Sequence, residues 1–539
     1  MRLLRVNIIN ADTCGGLLDG LDVQVRTPSK TSEFTPLCLI GPNGAGKSQF
    51  LQIVAEIFQS IFHTISPAEE REESNPSLQF VIEYLIHKNK EEPADHVKVS
   101  RTSKNKKKAT LIIAVLQSDG TWKPIDIESP KAKELLPTKV VGYTSGDNET
   151  LSLPFLHSRS GYAEEVGTQA LIATKETTDL PDTRLMLIDY GTNLEVLAAN
   201  LLLASSSRKR KILEHSGVST LHTFRCIIQL AHTAVPKIKK SGSSRKGIQL
   251  TDELEEIIER LGECSTCQNY DEKDECYTFD FFVDDEMSKA FSEFWKTSLE
   301  LYVSLHKLAM LNDLAIPKKA RVRFKKQIEA RRFAARLPEP QDEDKVFRFE
   351  RVSFRKNGSA ETVDYVSLSD GEHQLAQLLG TFSMVSSPNV LFLLDEPESH
   401  FNPKWRVEFV SRILDLPTPN GTRRKDSEAS KQDALLTTHA PFVPSDLKKE
   451  QVLIFSKDEK SGEVEVRTPR YETFGTTFDS ILDECFDIRP PISREPQDEI
   501  ERLRKSTDPD EIRSAMDRLG YSVEKAFLAD RLRQLSNKD

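Results

Sequence analysis

One stretch of eight residues carries the side chains of a phosphate-binding loop, with three glycines before a lysine and a serine. Its members are Gly41, Pro42, Asn43, Gly44, Ala45, Gly46, Lys47 and Ser48. Glycine permits backbone angles that a side chain forbids, so successive amide N–H groups can curve around a phosphate. At this spacing Lys47 is expected to reach the β- and γ-phosphates of a nucleotide, and the Ser48 hydroxyl is expected to ligate Mg²⁺.

The elements on either side of this phosphate loop (residues 41–48) fit the same chemistry. The apolar run 37–40 predicts a buried strand, and the apolar spacing over residues 50–58 predicts a helix. The positive N-terminal end of that helix adds to anion binding. A chance glycine-rich turn is the alternative, but the strand and the helix lie where the phosphate-binding mechanism needs them.

A second cluster, Ser369, Gly371 and Glu372, opens another helical pattern in the sequence LSDGEHQ (residues 368–374). A serine, a glycine and a helix N-terminus together make a second anion-binding site. Taken alone, the segment is also typical of an ordinary helix N-cap, with Ser369 or Asp370 as the cap and Glu372 in the first turn.

Two apolar runs in the second half of the chain end in side chains that could do chemistry. Residues 390–394 predict a central parallel strand buried on both faces, and Asp395 at its end is placed to hold Mg²⁺. Glu396 follows, where a carboxylate can orient and activate an attacking water. Residues 434–438 predict another buried strand, which ends at His439. A histidine there can sense or polarise a γ-phosphate, and an isolated structural histidine is the alternative.

Composition bounds the class of protein. The chain has 539 residues, of which 38% are hydrophobic and 29% charged, with a net charge of −10. This describes a globular protein of two or three lobes without a membrane-spanning stretch, and the cytoplasm is the expected location. The acidic balance argues against a uniformly cationic nucleic-acid binder. Seven cysteines make no disulfide framework, and Cys264, Cys267 and Cys276 lack a fourth ligand at zinc-site spacing.

The chain divides into four predicted parts. Residues 1–192 form the N-terminal part of the nucleotide-binding lobe with an antiparallel flank, and residues 193–345 form a mostly helical insertion, with one long helix over 291–311. Residues 346–487 complete the lobe, and residues 488–539 form a helical tail with two amphipathic helices. Asp189, after another apolar run, is interpreted as structural, because Asp395 is the better metal ligand.

The insertion carries the strongest basic clusters of the sequence. We expect most of these lysines and arginines to form a solvated helix face, while contact with nucleic-acid phosphates or with an acidic partner remains open. The candidate contact residues are Arg208, Lys209, Arg210, Lys211, Lys318, Lys319, Lys325 and Lys326.

The order of these motifs, from phosphate loop to strand-end histidine, resembles the ABC-type ATPase superfamily, in the branch with the SMC and RecF repair ATPases. LSDGEHQ is similar to the LSGGQ signature. The resemblance implies an α/β ABC- and SMC-like head that binds ATP with Mg²⁺. It also implies a dimer in which Ser369, Gly371 and Glu372 of one subunit complete the site of the other.

More specifically, YTSGDNE, DEPESHFNP and LLTTHAP resemble the restriction-system-associated ATPases, among them the PtuA family of Septu anti-phage systems. That resemblance implies an HNH nuclease as partner and, in retron forms, a reverse transcriptase with RNA-linked DNA. Two departures concern the hydrolysis rate. Ser145 and Asn148 are only positional substitutes for the Mg²⁺-sensing glutamine, and Asn402 stands where the related ATPases have aspartate.

The expected function is therefore an ATPase without a nuclease centre of its own, whose nucleotide state governs a partner nuclease. A DNA repair or maintenance ATPase that acts directly on DNA is the alternative. The ATP-binding subunit of a membrane transporter is a third class, which the long insertion between Ser48 and Leu368 disfavours.

Overall fold

A computed structural model of the protein describes residues 1–12, 15–28, 33–88, 93–103, 109–146, 149–171, 180–231, 246–329 and 340–536. The strands described there are, in chain order, β1 (Arg2–Asn10), β2 (Asp22–Gln24), β3 (Leu37–Ile40), β4 (Gln79–Ile86), β5 (Asp95–Thr102), β6 (Thr110–Leu116), β7 (Trp122–Ile125), β8 (Lys139–Thr144), β9 (Leu185–Ile188), β10 (Val218–Gln229), β11 (Cys267–Asp271), β12 (Cys276–Phe282), β13 (Phe347–Lys356), β14 (Thr362–Asp364), β15 (Val390–Asp395), β16 (Pro417–Thr418), β17 (Gly421–Thr422), β18 (Asp433–Thr438), β19 (Val452–Lys457) and β20 (Val464–Arg467).

The α-helices of the same residues are α1 (Lys47–Ile65), α2 (Pro130–Glu134), α3 (Glu149–Gln169), α4 (Asn193–Leu203), α5 (Ser206–Leu213), α6 (Asp252–Cys264), α7 (Asp285–Phe294), α8 (Ser298–Met310), α9 (Asn312–Ala315), α10 (Lys318–Glu329), α11 (Asp370–Met384), α12 (Pro403–Leu414), α13 (Phe442–Ser445), α14 (Phe478–Phe486), α15 (Arg494–Lys505), α16 (Pro509–Arg518) and α17 (Val523–Ser536).

A mixed, mainly parallel sheet lies at the centre, with the described strands in the order β20-β19-β3-β18-β15-β8-β9. Strands β19 to β9 run parallel, and β20 is antiparallel to β19. The strand before the phosphate loop, β3, thus pairs with β18, which pairs with β15. Because parallel strands end at one edge, this order brings the ends of all three strands together. The predicted α/β class is confirmed.

Alternate side chains of the central strands enter two different hydrophobic cores. In β3, Leu37 and Leu39 pack into the core that contains α1 and the N-terminal antiparallel sheet. Cys38 and Ile40 pack into the core that contains α4, α8 and α11. Burial on both faces explains why these strands are continuous apolar runs in the sequence.

A separate antiparallel sheet of described strands, in the order β2-β1-β4-β5-β6-β7, covers α1. The side chains of β4 alternate between the core and partial exposure. The strand β5 was not predicted, because its charged residues mask the alternation of Val97 and Val99. The flank proposed from the sequence is therefore a full sheet layer.

The inserted segment contains strands as well as helices. The strand β10 pairs with β13, which lies more than a hundred residues later, and with the hairpin β11-β12. The single long helix expected over residues 291–311 is wrong. The helix α7 ends before Trp295, whose backbone is extended, and α8 restarts with Thr297 as its N-cap, accepting the Glu300 N–H at 3.2 Å.

The tail forms a small helical unit with its own core of Ile500, Leu503, Ile512, Ala515 and Leu528. The two helices predicted from the sequence are present as α16 and α17, and α15 precedes them. Asp508 caps α16 by accepting backbone N–H groups of its first turn.

Candidate nucleotide-binding site

The phosphate loop joins β3 to α1, as predicted, and its glycines are required by its shape. Gly41 has a φ of 143°, and a Cβ at this position would lie 2.0 Å from the Phe455 carbonyl oxygen. Gly46 has a φ of 92° and caps α1, with Leu18 against it. Any side chain at these two positions would displace backbone or core atoms, so the loop conformation depends on glycine.

Lys47 is buried at the base of the loop and donates to the loop's own carbonyl groups. Its Nζ lies 2.8 Å from the Gly41 oxygen and 3.0 Å from the Pro42 oxygen. Burial lowers the pKa of Lys47 to about 8, against the opposing effect of Glu396 and Asp395. A phosphate anion at the loop would stabilise the ammonium form, so the geometry suits a cation that awaits an anionic ligand.

Ser48 and Asp395 are brought together, as a shared metal ligand pair requires. The Ser48 hydroxyl donates to Asp395 Oδ1 at 2.9 Å. The Thr437 hydroxyl donates to the same oxygen at 2.5 Å, and both Asp395 and Thr437 are buried. A hydroxyl and a carboxylate oxygen are ligands that Mg²⁺ accepts, with water filling its other positions, so this pair fits the metal.

Glu396 and His439 lie beside this pair at the carboxyl edge of the sheet. Glu396 has a φ of 45°, and its N–H donates to Thr437 Oγ1 at 3.0 Å. Its carboxylate lies 3.0 Å from His439 Nε2, and both side chains are partly exposed. The hydrogen bond from His439 is the largest of the effects that lower the pKa of Glu396, so this carboxylate is ionised at neutral pH and can orient a water.

The second predicted cluster forms the first turn of α11. Ser369 is exposed, and both its N–H and its hydroxyl donate to Glu372 Oε2, at 2.8 and 2.7 Å. A Cβ on Gly371 would lie 2.8 Å from the His400 carbonyl oxygen, so the helix start rests on the turn after β15. Within one chain the capping geometry is therefore present, and a role across a dimer stays a prediction.

Three further side chains connect these groups, and sequence reasoning missed them. Gln374 accepts the His400 N–H at 3.1 Å, which links α11 to the turn after β15. Thr437 bridges Asp395 and Glu396, as described above. Glu398 is buried against Thr438. In the sequence, the two threonines directly before His439 are the feature that indicates hydroxyl donors for Asp395 and Glu398.

Other residues named from the sequence have ordinary structural positions. Asn402 caps α12 by accepting the Trp405 N–H at 3.0 Å. Asp189 caps the 3₁₀ turn Tyr190–Thr192, in agreement with its structural interpretation. Ser145 lies after β8, and Asn148 falls outside the described residues.

Most side chains of the first basic cluster (residues 208–211) bond to other groups of the protein. Arg208 donates to the Pro417 oxygen, Lys209 donates to the Leu202 oxygen, and Lys211 pairs with Glu214 at 2.6 Å. Arg210 is exposed. Little of this cluster is free for a ligand.

The second basic cluster lies on α10 and presents two different faces. Lys325 pairs with Glu72 at 2.8 Å, and Arg321 lies 3.4 Å from Glu164. Lys318, Lys319 and Lys326 are exposed. One face of α10 therefore holds the helix on the body, while the other carries exposed positive charge.

The residues that the structure describes contain no group of three or more His, Cys, Asp or Glu side chains placed to hold a metal ion. Cys267 and Cys276 lie on opposite ends of the β11-β12 hairpin. None of the described helices is long and apolar enough to cross a membrane.

The strand order and the geometry of the site are those of a P-loop nucleotide-binding fold, and the motifs at the site are similar to those of ABC-type ATPases. A family model described as "AAA domain, putative AbiEii toxin, Type IV TA system" matches residues 292–446, less than a third of the chain. The matched segment includes Ser369, Asp395, Glu396 and His439 but not the phosphate loop.

Solved structures similar to this chain include the SmcHead bound to the C-winged helix domain of ScpA and the recombination mediator protein RecF with ATPrS. The first is 11% identical, with a TM-score of 0.30, and the match covers 87% of this chain and 97% of that one. The second is 11% identical, with a TM-score of 0.32, and the match covers 86% and 97%. No curated protein sequence matches the chain.

Proposed function

We propose that this protein is the ATPase subunit of an anti-phage defence complex, similar to the PtuA ATPases of Septu systems. In this proposal ATP with Mg²⁺ closes a cytoplasmic dimer, and the dimer regulates a partner nuclease of the HNH type. A reverse transcriptase with RNA-linked DNA belongs to the proposed assembly in a retron setting. The family model that matches residues 292–446 names a toxin of a toxin–antitoxin system, which supports a role in cellular conflict.

The observation that carries the proposal is a set of side chains suited to ATP hydrolysis at one edge of the sheet, together with an exposed Ser369 at the start of α11. Lys47, Asp395 and Glu396 are gathered there by β3 and β15. Ser369, in contrast, is exposed, and its N–H donates to Glu372 within the helix cap. A serine at a helix N-terminus can donate hydrogen bonds to an anion, and the exposure of Ser369 supports its binding to ATP held by a second copy of the chain.

Exposed apolar side chains next to the signature also support a dimer. Val366 is 84% exposed and lies three residues before Ser369. Its neighbour Tyr365 stacks on His373, which holds this segment on α11. A large aliphatic side chain held rigidly in water gains free energy when a second subunit covers it.

The proposal is tested with Lys47→Ala, which removes the buried cation, and Glu396→Gln, which removes the carboxylate but keeps its shape. We expect the first to lose ATP binding and the second to bind ATP, form a stable dimer and hydrolyse slowly. Lys460→Ala and Glu459→Gln are matched controls on exposed residues. Mass in solution, ATP turnover and phage defence with the neighbouring genes are measured. Unchanged turnover and defence in both site variants would refute the proposal.

A second candidate function is direct action on nucleic acid, as expected of a DNA repair or maintenance ATPase. The outer face of α10 supports it. Lys318, Lys319, Arg323 and Lys326 are exposed and form no ion pair with another of the residues described. Several unpaired cations along one helix suit the spaced charges of a phosphate backbone.

This candidate is tested by binding of the full chain to single- and double-stranded DNA at several salt concentrations. Changing Lys319, Arg323 and Lys326 to Gln is expected to weaken binding and to lower its salt dependence by about three counterions. The same change at Arg208, Lys209 and Lys211 serves as the control, because those side chains are engaged by the fold. Equal losses in both variants, or no binding by the parent protein, would exclude α10 as a nucleic-acid site.

A further inference from the structure

Glu398 is a buried carboxyl group in the turn that follows β15, and the chemistry described above does not use it. It lies three residues after Asp395 and is 3% exposed, whereas Glu396 in the same turn is partly exposed. Two backbone hydrogen bonds close the turn. The Ser399 N–H donates to the Glu396 carbonyl oxygen at 3.1 Å, and the Phe401 N–H donates to the Glu398 carbonyl oxygen at 3.0 Å. The side chain of Glu398 is therefore directed inward by a fixed backbone.

Its contact leads to the histidine of the site. The Thr438 hydroxyl donates to Glu398 Oε1, and it also accepts the Ala440 N–H at 2.9 Å. Thr438 and Ala440 are the two chain neighbours of His439, so one hydroxyl fixes the backbone on both sides of the imidazole. The other carboxyl oxygen, Glu398 Oε2, has no hydrogen-bond partner among the residues described.

The surroundings of Glu398 favour its neutral form. Burial is the largest effect and raises the pKa of Glu398 to about 7. The hydrogen bond from Thr438 and the charge of Arg406 on α12 oppose the rise, and Glu396 on the same turn reinforces it. On β3, the thiol of Cys38 has a raised pKa, chiefly from burial and also from the nearby Glu398. Arg406 is itself directed to the Ser399 oxygen, at 2.8 Å, and gives Glu398 no hydrogen bond of its own.

We propose that Glu398 is a positioning residue: its carboxyl group holds Thr438, and through Thr438 it holds His439 against Glu396. The proposal rests on the proposed ATPase activity. Because the contact does not touch the phosphate loop, it acts on the hydrolytic step and not on ATP binding.

Two variants test the contact. Glu398→Gln keeps an oxygen for the Thr438 hydroxyl but cannot ionise. Thr438→Val removes the donor. The kcat of Glu398→Gln for ATP is expected to stay within about twofold of the wild type, because its amide oxygen still accepts from the Thr438 hydroxyl. Thr438→Val is expected to lower kcat about 10-fold at every pH with little change in KM, and Thr438→Ser is expected to restore it.

The possible results distinguish the positioning role of Glu398 from the proposed ATPase function. A Glu398→Gln variant that loses as much kcat as Thr438→Val, or a Thr438→Val variant with normal kcat, would overturn the positioning role alone. Wild-type protein without hydrolysis that depends on Lys47 would overturn the proposed function and this inference together. The exposed-site variant Glu459→Gln is expected to keep the wild-type kcat.

A folding readout keeps the test decisive if Thr438→Val is unstable. The folded-state pKa of Glu398 lies above the usual 4.5, so its stabilising contribution is complete below pH 4.5 and is lost as pH rises to about 7. The nucleotide-free wild type should therefore lose more thermal stability between pH 5 and 7 than Glu398→Gln. Equal losses in the two proteins would overturn the proposal.

Discussion

Replacing Thr437 with Val tests the hydrogen bonds that join the end of β15 to β18. The substitution keeps the shape of a fully buried side chain but removes the hydroxyl that donates to Asp395 at 2.5 Å and accepts the Glu396 N–H at 3.0 Å. A hydrogen bond to a charged group contributes about 1.5–3 kcal/mol. If Asp395 needs that bond to keep its orientation for Mg²⁺, its loss from the transition state lowers the rate by about 10- to 100-fold.

The assay is ATP turnover at saturating ATP over a range of Mg²⁺ concentrations, together with thermal unfolding. We expect Thr437→Val to have a lower kcat and to require more Mg²⁺, because Asp395 then loses one of the two hydroxyl groups that donate to its Oδ1 atom. Thr437→Ser keeps the hydroxyl and should behave like the wild type. A kcat for Thr437→Val within about twofold of the wild type, with unchanged Mg²⁺ dependence, would refute this reasoning.

Three further results are expected. The folded-state pKa of Lys47 is lowered to about 8, so its charged form is lost as pH rises through that value, and ATP affinity should fall above pH 8; constant affinity up to pH 9 would contradict this. Gly371→Ala forces a Cβ to within 2.8 Å of the His400 oxygen and should reduce turnover, while Gly520→Ala, in open space, should not. Val366→Asp should weaken the ATP-dependent dimer without changing the monomer's melting temperature, since this side chain is 84% exposed; an equally stable dimer in light scattering would count against the interface.

The centre of the fold could be predicted from the sequence because its signals are local. The strands β3, β15 and β18 are apolar runs, and each ends at, or directly before, a residue or loop with a recognisable role. Burial on both faces leaves such runs few alternatives to a central parallel strand. The phosphate loop and its helix were predictable for the same reason, since the glycines and the helical spacing are adjacent.

The remaining features depend on pairing between distant segments, which no local pattern encodes. The strands β15 and β18 pair in a register that places Leu394 opposite Leu436. Asp395 and Thr437 are the next residues of the two strands, and this register brings their side chains together. The strand β10 could not be predicted from a local pattern, because its partner, β13, lies beyond the whole insertion. The break between α7 and α8 at Trp295 depends on tertiary packing, which overrides the helical spacing of the sequence.

We propose that the phosphate loop of one subunit and the LSDGEHQ segment of another bind one ATP together. Mixing two inactive variants tests this sharing directly. Lys47→Ala lacks the loop lysine and keeps the signature, while Ser369→Arg keeps the lysine and blocks the signature. Neither is expected to hydrolyse ATP alone. Mixed in equal amounts, they should recover about a quarter of the wild-type rate, because half of the dimers formed at random are mixed and each holds one intact site of two. A mixture as inactive as its components, although the two variants associate with ATP, would contradict the account.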